Sequence, residues 1–243
     1  MSGVSRLQYP TDLRIIRVMC TGRVDLKHIF YAFYKGIDGV LVVGCRLNEC
    51  KFATEGNYHA LNVGLLAKRI MEYIGMDPRR LRVEFMSSAD GPLFARTVKE
   101  MVETIRQIGP LENGNLKGKI EEVLKLIPYI KIAMREKLTV KLKDPSLWEG
   151  HFTREEITEL FNNVPSYWID PEECRACMAC LRRCPANAID GGKKLVHIIN
   201  QEKCIKCGTC MEACRFGAVK KLIGQPVPPP VPEEKRAVKK EAA

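Results

Sequence analysis

The sequence predicts an α/β parallel-sheet domain at the N-terminus, then a helical connector, then a small α+β domain followed by a tail. Three observations predict this order. Short apolar runs alternate with helical periodicity from residue 13 to residue 110. The next stretch carries helical stripes and a local excess of positive charge. Eight of the eleven cysteines then crowd into residues 174–214. The expected boundaries are 1–111, 112–165, 166–223 and 224–243.

In the first domain, Ile15, Ile16, Arg17 and Val18 make a strand candidate. A helix follows Asp25, a good N-cap, with Leu26, Ile29, Phe30 and Phe33 on one face and Gly36 as its stop. Residues 39–43 are apolar throughout, as expected of a central parallel strand buried on both faces. A second helix is expected over residues 57–74, with Leu66, Ile70, Tyr73 and Ile74 in register and Gly75 behind it. Residues 81–86 make a third strand. A third helix starts near Asp90, carries Phe94, Val98, Met101, Val102 and Ile105, and ends at Gly109 and Pro110.

Three cysteines belong to this domain. Cys20 follows the first strand and Cys45 the central one, with Cys50 in the same loop, so all three should gather at the carboxyl ends of the strands. Those turns hold no glycine-rich phosphate loop of either common spacing, which disfavours a nucleotide ligand. The three are either a metal site one ligand short of four or small buried residues, and spacing alone does not separate the two. Of the four histidines, His28, His59, His151 and His197, each is read as structural, with His59 close to the Cys50 loop.

In the connector, Ile120, Val123, Leu124 and Ile127 form a stripe that Pro128 is expected to break or kink. Thr153 and Glu156 form a capping box ahead of a short helix through Leu160 and Phe161. Residues 117–143 hold eight Lys/Arg against three Glu. Such a face either packs on its own protein, docks on an acidic partner, or lies peripherally on a membrane surface.

The remaining cysteines fall into two blocks of identical spacing, C-x2-C-x2-C-x3-C, offset by 30 residues: Cys174, Cys177, Cys180, Cys184 and Cys204, Cys207, Cys210, Cys214. Three cysteines at two-residue gaps wrap a short loop around one corner of a 4Fe-4S cube, and the fourth serves the other cube. The expected ligand sets are therefore crossed. Cluster one takes Cys174, Cys177, Cys180 and Cys214; cluster two takes Cys204, Cys207, Cys210 and Cys184. Flanking Ala186–Ile189 and Phe216–Val219 repeat with the blocks, as an internal duplication would. Zinc sites usually pair their cysteines instead. This is the pattern of a small α+β bacterial-type 2x4Fe-4S ferredoxin domain. Its hairpin turn is expected at residues 190–193, ahead of a strand at 195–199. Where the first block ends Cys184-Pro185, the second ends Cys214-Arg215. Arg215 restores a backbone N–H and adds a cation, both favouring a reduced cluster one. The tail, with Pro226, Pro228, Pro229, Pro230 and Pro232 ahead of charged residues, is expected to be extended and mobile.

The chain has 243 residues, 46% hydrophobic and 28% charged, and no apolar run of membrane-spanning length. Its cysteine usage points to a reducing cytoplasm and metal ligation rather than disulfides. The formal charge of +10 falls to about +6 if two oxidised cubes each bring about −2. No nucleic-acid-binding motif accompanies it, and an acidic protein partner accounts for it as well.

Residues 3–10, then Ile15 to Asp25, Gly39 to Cys45 and Cys50 to Tyr58 resemble the delta subunit of methyl-viologen-reducing hydrogenase. The resemblance covers residues 3–111. It implies a 2Fe-2S domain, here with Cys20, Cys45 and Cys50 as an incomplete ligand set, because family members usually begin with a further strand and a C-x-x-C element upstream. An upstream true start, or a truncated chain that holds 2Fe-2S poorly, is expected. The resemblance also implies partners: a hydrogenase or formate dehydrogenase, and the flavoprotein of a heterodisulfide-reductase-type complex. With no catalytic constellation in the chain, the expected role is electron relay. The alternatives are a redox-sensing adaptor and a free ferredoxin with an inert fused domain.

Overall fold

The computed structural model describes residues 7–51, 55–232 and 236–237. Its contacts divide the chain into two compact units, residues 1–127 with 134–158 and residues 128–133 with 159–243.

In the first unit, α1 (Leu26–Tyr34) opens on a reciprocal capping box. Asp25 caps the first turn, and its own N–H donates to His28 Nδ1 at 3.0 Å. The apolar spacing of α1 buries Leu26, Ile29, Phe30 and Phe33 almost completely. β1 (Val40–Gly44) pairs in parallel with β2 (Leu81–Phe85) through the crossover helix α2 (Gly56–Ile74), and α3 (Gly91–Ile108) follows β2. Leu66, Ile70, Met71, Leu81 and Val98 fill the core between them. α2 approaches β2 closely at Gly64, where a Cβ would lie 2.3 Å from Val83 Cγ2.

The expected strand at residues 15–18 does not form. Ile15 and Ile16 are 67% and 84% exposed, and since successive strand residues face opposite ways, neither face of this segment is covered. β1 is consequently not central: among the described residues it pairs with β2 alone, and Val40 and Leu41 are only half-buried. The expected strand and C-x-x-C element upstream, and the start of the chain, lie outside the described residues.

α4 (Asn113–Ala133) runs through Pro128 without ending there. Ile120, Val123, Ile127 and Ile130 are buried, so the protein itself covers most of the apolar stripe. Beyond α5 (Arg135–Leu138), residues 139–153 return to α2: Asn62 Nδ2 donates to the carbonyls of Leu138 and Val140, and Arg69 donates to those of Glu149 and Phe152. The capping box at α6 (Arg154–Asn162) is formed as expected, with Thr153 N–H donating to Glu156 and Glu156 N–H to Thr153 Oγ1. No helix of the described residues is long and apolar enough to cross a membrane.

The second unit repeats itself. β3 (Ser166–Ile169), α7 (Ala179–Arg183) and β4 (Ile189–Gly192) belong to the first block; β5 (Leu195–Ile199), α8 (Thr209–Ala213) and β6 (Val219–Leu222) belong to the second. Pairing crosses between the repeats, β3 antiparallel with β6 and β4 antiparallel with β5. Each half thus closes the other's sheet. The hairpin turn sits further along than expected: Gly192 pairs with Leu195, and Lys194 takes the left-handed position at φ +67°. Gly191 stays in an irregular β4, pressed against His197, where a Cβ would meet the His197 ring at 2.4 Å.

Within the tail, Arg236 meets β5. Val196 N–H donates to Arg236 O at 2.7 Å, and the Arg236 guanidinium pairs with Asp190 at 2.9 Å. Arg236 thereby adds backbone pairing to the free edge of β5.

Candidate metal centres

The two cysteine loops are built alike down to the backbone. Ala176 and Lys206 take left-handed φ values of +52° and +57°, Met178 and Gly208 of +67° and +78°, and Asn187 and Gly217 of +49° and +68°. Each pair is one repeat apart. Only two of the six are glycines, so the others store strain of about 1–3 kcal/mol each, the kind of strain that persists where a ligand site overdetermines the chain. The left-handed turns curl each C-x2-C-x2-C loop in the same way. The third cysteine of each block then lies in the first turn of its helix, Cys180 in α7 and Cys210 in α8.

One recess, partly open to solvent, is lined by Cys204, Cys207 and Cys210 from the second block and by Cys184 from the first. Pro185, Ile189, Ile199 and Ile205 supply its apolar wall, and Tyr167 closes one side. The Ala188 N–H donates to Cys184 Sγ at 3.3 Å, and Thr209 Oγ1 stands 3.3 Å from Cys207 Sγ. Burial pushes the Cys210 thiol up to about 12, with Cys204 and Cys207 adding to it. Burial and the neighbouring sulfurs of this group likewise hold the Tyr167 hydroxyl at about 12.

The other four block cysteines form a second group. The Cys180 thiol is pushed up to about 11, first by burial and then by Cys174, Cys177 and Cys214. Cys214 comes from the second block. Each sulfur group therefore draws three members from one repeat and one from the other. Neutral thiols crowded in apolar surroundings resist ionisation until a cation compensates them, and a polynuclear iron-sulfur group supplies that compensation. The donor chemistry fits such a group. Among the described residues no three His, Cys, Asp or Glu side chains converge as a single-ion site would need. Cluster thiolates each serve a different iron and stand further apart.

The sequence marks His197 only as a scattered structural residue. In the structure it is 1% exposed, with Nδ1 3.6 Å from Cys174 Sγ and Nε2 3.3 Å from Met178 Sδ. No local signal reveals this, because His197 sits on β5, 23 residues from Cys174. Burial holds its imidazole below the usual histidine range. Arg215 is exposed.

In the first unit Cys20, Cys45 and Cys50 do gather. Cys45 directly follows β1, its thiol is hydrogen-bonded to Cys50, and Cys20 lies within electrostatic reach of it. Cys20 Sγ packs over Gly56 at the start of α2, where a Cβ would lie 2.6 Å from it. Desolvation and the Cys50 sulfur both push the Cys45 thiol up. The loop is fixed by residues the sequence marked only as helix starts, and by Arg46: Asn57, wholly buried, donates to the carbonyls of Arg46 (2.7 Å) and Cys45 (3.5 Å), and Arg46 grips Asp90 with contacts of 2.7 and 2.8 Å. His59 is turned to the Leu138 carbonyl, 3.3 Å from Nδ1.

Comparison with known proteins falls on the same two regions. Residues 1–109 match the family model of the methyl-viologen-reducing hydrogenase delta subunit, and residues 166–215 match that of a 4Fe-4S dicluster domain. The iron-sulfur subunit of the F420-non-reducing vhu hydrogenase of Methanococcus maripaludis is 43% identical over 110 residues, 45% of this chain and 81% of the relative. Its counterpart in Methanopyrus kandleri is 41% identical over 111 residues, 46% of this chain and 83% of its own length. A subunit of the ferredoxin/F(420)H(2)-dependent CoB-CoM heterodisulfide reductase of Methanosarcina acetivorans is 41% identical over 111 residues, 46% of this chain but 14% of that protein.

Proposed function

The chain belongs to the family of the methyl-viologen-reducing hydrogenase delta subunit, and from that membership we propose that it is an electron-transfer subunit with no substrate of its own. It relays electrons within a larger oxidoreductase, between a hydrogenase or formate dehydrogenase and a heterodisulfide-reductase-like flavoprotein. Relatives named as parts of a hydrogenase and of a heterodisulfide reductase share the same first domain, which supports placing this chain at such a junction.

Two 4Fe-4S clusters, when bound, supply one-electron carriers. In this reading Cys174, Cys177, Cys180 and Cys214 hold one, and Cys204, Cys207, Cys210 and Cys184 hold the other. The observation that carries it is the lining of one recess by Cys184 together with three cysteines of the opposite block. Apolar side chains around that recess limit the water that reaches the sulfurs, so that less solvent reorganises when charge arrives. Cys20, Cys45 and Cys50 supply three thiolates of a 2Fe-2S site. A redox-sensing role would instead need a thiol of lowered pKa, and Cys45 is shifted the other way.

The test is anoxic purification of the chain from its native cells with an affinity tag. The reading expects about eight cubane irons per chain, bleaching with dithionite, co-purification of hydrogenase or formate dehydrogenase and flavoprotein subunits, and electron transfer from one to the other that fails when this chain is omitted. A chain that purifies alone with far fewer irons would refute it.

A further inference from the structure

We infer that His197 is a positioning residue for cluster one that raises its reduction potential by donating Nδ1–H to the Cys174 sulfur. The inference rests on the cluster reading above and goes beyond it, because His197 belongs to neither cysteine block.

The geometry has three parts. His197 Nδ1 lies 3.6 Å from Cys174 Sγ, within reach of a hydrogen bond to sulfur, and the ring is 1% exposed. On the far side of the ring, Nε2 stands 3.3 Å from Met178 Sδ, inside the same cysteine loop. Behind the ring, Gly191 presents bare backbone, and any Cβ there would collide with the ring at 2.4 Å and with His197 Cα at 3.0 Å. The imidazole is therefore clamped between two sulfurs of one loop and the neighbouring strand.

The tautomer follows from the two sulfurs. Both accept only, but a cluster-bound Cys174 thiolate is the stronger acceptor and the Met178 thioether the weaker, so the favourable neutral imidazole carries its proton on Nδ1 and makes no hydrogen bond through Nε2. A donor to a ligand sulfur gains strength as that sulfur becomes more negative, and one-electron reduction adds negative charge to the cluster and its thiolates. The bond is thus stronger in the reduced state, which favours reduction. If about half the net worth of a charge-assisted hydrogen bond is the difference between the two states, the reduction equilibrium moves about tenfold, or about 59 mV for one electron.

The experiment uses the full chain, loaded anoxically, with both cubane midpoints followed by potentiometric titration. His197→Leu is expected to lower one midpoint by about 59 mV, a tenfold change, and leave the other in place. His197→Gln, which keeps an N–H donor, is expected to restore most of the shift. A second readout needs no variant: wild-type protein labelled with 15N in the histidine rings should show a nitrogen hyperfine coupling in the reduced state, since His197 is the one histidine of the second unit. Two unchanged midpoints, equal shifts of both, His197→Gln behaving as His197→Leu, or absence of the coupling in loaded protein would overturn the inference. If His197→Leu does not load, the coupling decides. Wild-type protein that holds no cubane iron would refute the cluster reading instead.

Discussion

Replacing Cys184 with alanine should remove the cluster served mainly by the other cysteine block. Cys184 lines the same recess as Cys204, Cys207 and Cys210, with its sulfur held by the Ala188 N–H at 3.3 Å, while Cys180 has Cys214 among its sulfur neighbours. A cube that loses one of four thiolates is expected to be lost whole, so cubane iron should fall from about eight to about four per chain in Cys184→Ala. The same fall is expected for Cys207→Ala or Cys177→Ala, so single variants do not identify the partners. Pairs do, because two changes at one site are not additive whereas changes at independent sites are. Cys184→Ala with Cys207→Ala should keep about four irons, no fewer than either alone, and Cys184→Ala with Cys177→Ala should keep about none. Alanine is used because a serine oxygen can still ligate iron. The assay is iron and acid-labile sulfide per chain after anoxic reconstitution, with electron paramagnetic resonance of the reduced protein to confirm an intact remaining cube. If Cys184→Ala with Cys177→Ala retains about four irons while Cys184→Ala with Cys207→Ala retains about none, each block feeds its own cluster and the crossed assignment is wrong.

Gly64→Ala should destabilise the first unit despite a gain of about 1 kcal/mol in helix propensity, because the added Cβ meets Val83 Cγ2 at 2.3 Å and overpacking costs about 1–3 kcal/mol. Thermal melts should show the penalty vanish in a Val83→Ala background, and a penalty that persists there would remove the clash as its cause. For the tail, Asp190→Asn should raise hydrogen exchange at the Val196 amide by a factor of about two to five, as expected for loss of an ion pair worth up to about 1 kcal/mol; unchanged exchange would mean the pair does not hold the segment. Arg215→Pro should lower the midpoint of cluster one in a redox titration, since it removes both a cation and an N–H near that site, and two unchanged midpoints would dismiss the role. Cluster loading should weaken as pH falls below neutrality. The Cys180 and Cys210 thiols, at about 11 and about 12, are protonated in the unloaded chain, so ligation must release those protons and is favoured by rising pH. Loading that is flat between pH 6 and 9 would contradict this.

The cysteine spacing, the 30-residue repeat, the capping residues Asp25 and Thr153 and the helical stripes of α1 to α4 were legible in the sequence, because each rests on contacts within a few residues or on a fixed period. Other features depended on which segments meet. Residues 15–18 have the composition of a strand, but pairing and burial decide whether one forms, and Ile16 remains 84% exposed. Residues 139–153 read as connector, yet their carbonyls accept hydrogen bonds from Asn62 and Arg69 on α2. The docking of Arg236 on β5 and the approach of His197 to Cys174 join residues 40 and 23 positions apart. Sequence by itself determined the cysteine spacing and its repeat, since spacing is a local property of the chain. Tertiary structure alone decided the surroundings of those sulfurs, because the donors, apolar walls and covering strands around them come from segments that only folding brings together.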